Sequence, residues 1–433
     1  MSSCNALLQS LRHGAHDQTL ANLYALDGTQ ESLDHARARA IRVTQGLMDT
    51  FSPDEAAQAA LFSGPGRTEI GGNHTDHQHG HVLCGSVDLD MLACAAKNGK
   101  DVVRILSEGY PTLEIALNDL QPRPEEINTS AALVRGVAGK LVQMGYSLCG
   151  FDAYMTSNVL SGSGLSSSAA YEVLVGNIFN HFCCDGALDP ILIAKIGQYA
   201  ENVYFGKPCG LMDQMGSSVG SAVAIDFADP AAPAVTKVDF DFSQSGHSLC
   251  IVDTGSCHAD LTDDYADITR EMGAVATYFG KAVLRDIPEA DFHQAIPSLR
   301  IACGDRAVLR ALHYYDDDRK AVAEAQALAQ GDFDAFLALV NASGISSALH
   351  LQNTWSIADP KQQAIPLALA VGRELLEGTG AIRVHGGGFA GTIQAFVPNE
   401  KLSAFKAGME AVLGTGTCHI LHIRPVGGCV VIP

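Results

Sequence analysis

The segment Pro65-Gly66-Arg67-Thr68-Glu69-Ile70-Gly71-Gly72-Asn73-His74-Thr75-Asp76-His77 sets a guanidinium, an amide, imidazoles and a carboxylate close together among glycines. Glycine permits the tight turns that aim such groups at one point. Arg67, Asn73, His74 and Asp76 could grip several hydroxyls of a small polar molecule beside a fixed positive charge. A second segment, Gly162-Ser163-Gly164-Leu165-Ser166-Ser167-Ser168-Ala169-Ala170, leaves an expected strand and enters an expected helix. Free N–H groups and a helix dipole converge there, which suits a phosphate, and the serine hydroxyls add donors or a magnesium ligand. A serine N-cap on an ordinary strand-to-helix turn explains the same residues. No Lys follows the glycines, so the loop is not a Walker A motif.

In a third segment, Glu201 to Gln214, Gly206, Pro208 and Gly210 break a helix and fix a loop. Asp213 follows among Leu211, Met212 and Met215, where a carboxylate is costly unless paired, and Arg67 is the obvious partner. Glu201 is a candidate magnesium ligand. An Asx turn or N-cap is the plainer account of Asp213. The run His385-Gly386-Gly387-Gly388-Phe389-Ala390-Gly391-Thr392 holds more glycine than a hairpin needs. Close approach to a ligand or another loop explains the excess, with a flexible hairpin as the alternative. His74, His77, His79 and His81 invite a zinc or nickel site. Gly80 and the strand expected after it aim His79 and His81 in different directions, and no cysteine joins them.

Residues 1–60 read as helices, one around 33–48 and a short one opening at Pro53-Asp54-Glu55. They are expected to brace or cover the machinery from outside. Strands and glycine loops begin at Leu61, with strands over 82–92 and 102–107, a helix over 127–144 and a strand over 151–158. Helices over 166–182 and 191–205 and strands over 221–227 and 248–252 follow. The remainder reads as helices over 265–284, 319–330, 333–342 and 365–376, with strands over 381–384, 392–397 and 420–425. Three units result: a helical extension (1–60), a first domain (61–245) and a second (246–433).

A chain of 433 residues favours two domains. With 28 basic against 48 acidic residues, its net charge of −20 disfavours nucleic acid and anionic membranes as partners. The N-terminal residues lack a signal-peptide pattern, and no uncharged apolar run is long enough to span a bilayer. The twelve cysteines are scattered, mostly within apolar runs, as buried thiols in a reducing compartment would be. The expectation is a cytoplasmic protein with a small-molecule substrate, monomeric or weakly self-associating.

In order and content these segments resemble the three motifs of the GHMP kinases, with the sugar-binding details of the galactokinase branch. The first, over 64–83, is similar to the family's Gly-Arg-Val-Asn-Leu-Ile-Gly-Glu-His-Thr-Asp-Tyr. The second lies over 161–173 and the third over 384–391. Residues 201–214 resemble Glu-His-x-Phe-x-Gly-x-Pro-Cys-Gly-Ile-Met-Asp-Gln. The resemblance runs from about residue 61 to the end. It implies an α+β, two-domain GHMP-kinase-like fold, with a ribosomal-S5-like first domain, an α/β second domain and an active site in the cleft between them. It also implies an ATP-dependent sugar 1-kinase that phosphorylates the C1 hydroxyl of galactose or a close relative to give the α-sugar 1-phosphate.

Carried over, Asp213 is the catalytic carboxylate and Arg67 its cationic partner. Asn73, His74, Asp76, Gly210, Asp213 and Tyr265 contact the sugar. Gly162, Ser163, Gly164, Leu165, Ser166, Ser167 and Ser168 bind the ATP phosphates, and Ser168 and Glu201 hold Mg2+. This is a divergent member. Asn73 stands where the family has Glu, His77 replaces Tyr, and Val384-His385 replaces Met-Thr. No Trp occurs near residue 130, which leaves the base pocket without its usual ring. Asn73 keeps galacturonate, N-acetylgalactosamine and arabinose open as substrates. A non-catalytic sugar sensor on the same fold is a further alternative, although Ser167-Ser168-Ala169-Ala170 is intact.

Overall fold

A computed structural model describes residues 2–24, 27–54, 57–159, 164–207, 209–256 and 261–433, apart from the side chains of Ser2 and Thr262. The edge strand β1 (Ser2–Ser3) leads into helices α1 (Cys4–Arg12), α2 (Asp17–Tyr24) and α3 (Gln30–Phe51). Thr29 caps α3 by accepting the Ser32 N–H, and Ser52, in the left-handed region at φ 45°, ends it. No helix opens at Pro53. Residues 52–54 are irregular, and strand β2 (Gln58–Gly71) begins within a few residues.

β2 runs antiparallel to β3 (His81–Lys97), with register shifts between Pro65 and Arg67 and between Glu69 and Gly71. The tight turn expected across 65–77 is therefore a twice-bulged strand as far as Gly71. The chain turns only at Gly72, ahead of a short 3-10 turn over Asp76–Gln78. Pairing with β3 holds the glycines extended, and each bulge re-aims the side chains that follow it.

Next come β4 (Val102–Ser107), β5 (Leu113–Ala116), α4 (Ser130–Gln143), β6 (Phe151–Ser157), α5 (Ser167–Cys183), α6 (Pro190–Ala200), α7 (Met212–Val219), β7 (Ala222–Asp226) and β8 (Ala234–Val238). A π-helical turn over Glu201–Phe205 prolongs α6, so the helix expected over 191–205 changes pitch at Glu201. The second half holds β9 (His247–Asp253), α8 (Thr262–Tyr278), α9 (Glu289–Ala302), α10 (Asp305–Ala329), α11 (Phe333–Ser346), α12 (Ala364–Leu376), β10 (Ala381–Val384), β11 (Thr392–Pro398), α13 (Leu402–Leu413), β12 (Cys418–Leu421) and β13 (Cys429–Ile432).

Among the described residues the strands form two sheets. One runs β1-β2-β3-β6-β4-β5, with β13 also on β2 and with β7 and β8 continuing from β3; the other runs β10-β11-β9-β12. Alternation along β2 and β3 shows how the first sheet is covered. Ala60, Phe62, Ala93 and Ala95 enter a core with α4, α5 and α6. Ala59, Leu61, Leu92, Cys94 and Ala96 face the other way, onto Leu7, Leu11, Ala40, Val43 and Leu47 of α1 and α3. With both faces buried, the strands read as continuous apolar runs. The N-terminal helices therefore brace the back of the sheet, and the chain's last strand returns to it.

Candidate active site

The first bulge of β2 brings Arg67 beneath the opening turn of α7, where Asp213 sits. Arg67 Nε and Nη2 donate to Asp213 Oδ1 at 2.8 and 2.6 Å, and Nη1 donates to the Gly164 carbonyl. Ser166 donates its hydroxyl to Asp213 Oδ2 at 2.8 Å. Gly216, almost one turn along α7, lets the arginine stem lie against the helix; a Cβ there would stand 2.9 Å from Arg67 Cβ. Burial pushes the Asp213 carboxyl up, but Arg67 and Ser166 outweigh it and hold the group below the usual carboxylate range. The Arg67 side chain is 8% exposed and that of Asp213 is 26% exposed, so only the carboxylate can reach a reacting hydroxyl.

Gly210 packs so closely on Asp76 that a Cβ there would collide with Asp76 Oδ2. This contact joins the first motif to the loop that carries Asp213. His74 is at φ 60° and donates Nε2–H to the Gly387 carbonyl at 2.9 Å. Burial, helped by His77, lowers its pKa to about 4, so the ring is neutral at physiological pH. Tyr265 donates its hydroxyl to the Gly388 carbonyl at 2.7 Å and packs edge-on against Phe389 at 5.4 Å. The glycine loop thus approaches other loops: its carbonyls accept from His74, Tyr265 and Asn353.

Asn73 departs from its expected role as a sugar contact. It is fully buried, and its carboxamide is spent inside the protein. Nδ2 donates to Glu69 Oε1 at 2.8 Å and to the Gly386 carbonyl at 2.7 Å. Oδ1 accepts from Asn353 Nδ2 at 2.8 Å and from Ser347 at 3.3 Å.

At the phosphate end, Gly162 and Ser163 lie outside the described residues. Gly164 and Leu165 serve Arg67, since their carbonyls accept its Nη1 and its backbone N–H. Ser166, at φ 53°, binds Asp213 where a phosphate contact was expected. Ser167 and Ser168 open α5. Ser168 donates to Glu201 Oε1 at 3.1 Å; Gln214 Nε2 donates to Glu201 Oε2 at 2.8 Å and to Glu172 Oε2 at 3.0 Å. A cavity of about 710 Å³ reaches from Ser167 and Ser168 past Ile105, Leu133 and Met155 to Tyr110, Tyr171 and Phe205. Three aromatic residues therefore line it although no Trp does. Of the histidine run, His81 turns to Asp318 at 3.0 Å and Asp226 at 3.3 Å.

A family model for the galactokinase galactose-binding signature matches residues 49–97, and one for the GHMP kinases N terminal domain matches 132–221. The galactokinase of Streptomyces coelicolor is 30% identical over 380 residues, which cover 86% of this chain and 94% of that protein. The chain belongs to the galactokinase family of GHMP kinases. Its fold is that of Lactococcus lactis galactokinase solved with galactose, with a TM-score of 0.75, 22% identity, and coverage of 90% of this chain and 99% of that one. Methanococcus jannaschii mevalonate kinase shares the fold at a TM-score of 0.61, with 14% identity and 86% and 99% coverage. This galactokinase-family protein is a phosphotransferase of the sugar-kinase type, and ATP use follows from its family. None of the described helices is long and apolar enough to cross a membrane.

Behind Asn73, this galactokinase relative holds a charged cluster that the sequence reading missed. Arg383, fully buried, donates to the Ile70 carbonyl at 2.7 Å, the Val384 carbonyl at 3.1 Å and Glu69 Oε1 at 3.1 Å. Gly71 leaves room for Glu324, whose Oε2 occupies the place a Cβ would take. Both Glu324 oxygens lack a hydrogen-bond partner among the described residues, and burial holds this carboxyl well above its ordinary range. The available signal was the pair of glycines, Gly71 and Gly72, inside a segment that otherwise pairs as a strand. His385 is a further hub, bonded to Thr392 Oγ1 at 2.9 Å and Thr68 Oγ1 at 3.1 Å.

Burial raises the Glu69 pKa from 4.5 to about 7 against the pull of Arg383, Arg67 and Asn73. The folded state therefore binds a proton that the unfolded state releases, and stability falls as pH rises from about 4.5 through 7. Glu69→Gln is expected to flatten this slope by about 1–3 kcal/mol, read from denaturant melts at pH 5 and 8. An unchanged slope would remove Glu69 from the proton account.

Proposed function

We propose that this protein transfers the γ-phosphoryl group of ATP to the C1 hydroxyl of galactose or a close relative, giving the α-sugar 1-phosphate. The observation that carries the reading is the Arg67–Asp213–Ser166 arrangement beside the N-terminus of α5. Phosphoryl transfer needs an aligned hydroxyl and neutralisation of charge, with little covalent help. The exposed edge of Asp213 orients the C1 hydroxyl and takes its proton. Arg67 keeps Asp213 ionised and lends positive charge to the transfer. His74, as a neutral ring, and Asp76, at the Gly210 contact, line the sugar side. The first turn of α5 faces the phosphates, and the cavity ending at Tyr110, Tyr171 and Phe205 takes the base.

Ser168 and Glu201 are the residues that would hold magnesium. They offer hard oxygen donors, and Glu172 Oε1 lies unpartnered nearby among the described residues. One or two carboxylates are enough where a nucleotide completes the coordination shell, and the ion supplies neutralisation of phosphate charge.

Galactose is the first choice of substrate; galacturonate, N-acetylgalactosamine and arabinose are the alternatives. ADP release across these four sugars tests the reading. ADP formation with at least one, together with a sugar 1-phosphate identified by phosphorus NMR, is expected. Sugar binding without ADP above background in any case would sink the kinase and favour the sensor.

A further inference from the structure

The helices before residue 60 do more than cover the sheet. On α3, Arg39 donates to Asp90 Oδ1, and its Nη2 donates to the Asp90 carbonyl at 2.8 Å and the Thr156 carbonyl at 3.3 Å. One turn on, Arg42 Nη2 donates to Thr156 Oγ1 at 3.1 Å, and its Nε lies 3.3 Å from Glu108. Asp90, fully buried on β3, also accepts from Tyr24 of α2 at 2.7 Å and from Ser63, and pairs with Arg424 at 3.4 Å. Its backbone is tied to the strand end opposite. The Asp90 N–H donates to Asn158 Oδ1 at 2.7 Å, and the Asn158 N–H donates to the Asp90 carbonyl at 3.1 Å.

These bonds lead to one place. Thr156, Glu108, Met91 and Val159 all line the 710 Å³ cavity, and Asn158, bonded to Asp90, lies between Ser157 and Val159 of that lining. Each arginine therefore holds cavity wall, Arg39 through Asp90 and the Thr156 carbonyl and Arg42 through Thr156 and Glu108. Burial raises the Asp90 carboxyl, but Arg39 and Arg424 more than reverse this, so the anchor is a charged, multiply bonded group. Such groups fix geometry better than apolar contacts can, because they bond in defined directions.

We propose that the N-terminal helices are a working part of the nucleotide site, with Arg39 and Arg42 as positioning residues that set its wall. This rests on reading the cavity as the seat of the nucleotide. Arg39 and Arg42 bond Asp90, Thr156 and Glu108 and none of the sugar-side residues, so the effect of losing them is expected on the nucleotide alone.

The test is calorimetric titration of the full chain with ADP and, separately, with galactose, alongside steady-state kinetics. Arg39→Ala is expected to raise the ADP Kd and the ATP KM about tenfold while the galactose values stay within twofold. Arg39→Lys, which keeps the charge but loses the fork, should lie between. If Arg39→Ala fails to fold, Arg42→Ala decides, because that side chain is 58% exposed and its loss spares the core. An ADP Kd about threefold higher with unchanged galactose binding is expected for it. Unchanged ADP binding in both Arg39→Lys and Arg42→Ala, or equal losses for ADP and galactose, overturns the proposal. Wild-type protein that binds ADP without turning over any sugar sinks the kinase reading instead, and the ADP Kd values still decide this one.

Discussion

Asp213→Asn is expected to lower kcat by at least about a hundredfold, the low end for a positioned general base. The substitution keeps the side-chain shape, and a carboxamide oxygen can still accept from the Arg67 guanidinium. What it removes is the charge and the proton-accepting oxygen that Ser166 now orients. The fold should survive, because Arg67 also bonds the Gly164 carbonyl. The sugar KM should move far less than kcat, since the loss falls on the transition state. Arg67 and Ser166 hold Asp213 below the ordinary carboxylate range, so it stays ionised near neutral pH, and an acid limb in the neutral region of the pH–rate profile belongs to another group. Single-turnover measurement with saturating ATP separates chemistry from product release. Near-normal turnover would take Asp213 out of the mechanism.

Why Asp213 could be read from sequence, and Asn73 could not, is a matter of where their partners lie. A carboxylate among methionines three residues after a glycine calls for a cation, and the first motif offers one. The serine loop shows the same limit: its residues suggested a phosphate cradle, and the described part, Gly164 to Ser166, bonds Arg67 and Asp213, which lie far off in sequence. Asn73 looked like a substituted sugar ligand because three of its four partners, Gly386, Ser347 and Asn353, are hundreds of residues away, and the fourth, Glu69, offered no sign of the bond. Only the folded loop shows its carboxamide already spent.

The same logic separates the elements. β10 and α12 were readable as apolar runs with clear ends. α10 was expected from Arg319 but begins at Asp305, because buried Arg310, His313 and Asp317 interrupt the apolar period on its inner face. His313 donates Nε2–H to the Asn73 carbonyl, so the residues that hid the helix also hold the first motif in place. The glycines of β2 from Gly66 on were read as turns because they are ambiguous until β3 lies beside them.

Arg383→Met should be the most damaging substitution to stability. It removes three hydrogen bonds and the cation beside Glu69 and Glu324, all in a site closed to water. Removing one partner of a buried pair typically costs about 3–5 kcal/mol, because the remaining charge is stranded. For a chain of this size that corresponds to a fall in Tm of roughly 3–6 °C. The loss has a pH signature. Without Arg383, whose pull lowers the Glu69 pKa, Glu69 escapes the penalty by taking a proton, which costs little at acid pH and progressively more as the pH rises above the unfolded carboxyl value. The destabilisation should therefore be smaller at pH 5.5 than at pH 8, and Glu69→Gln in the Arg383→Met background should recover part of the loss at pH 8. Urea melts of the two single variants and the double variant form the cycle that measures this coupling. A loss equal at both pH values, with no recovery in the double variant, would mean that Arg383 acts through its carbonyl contacts to Ile70 and Val384 and not through the carboxylates.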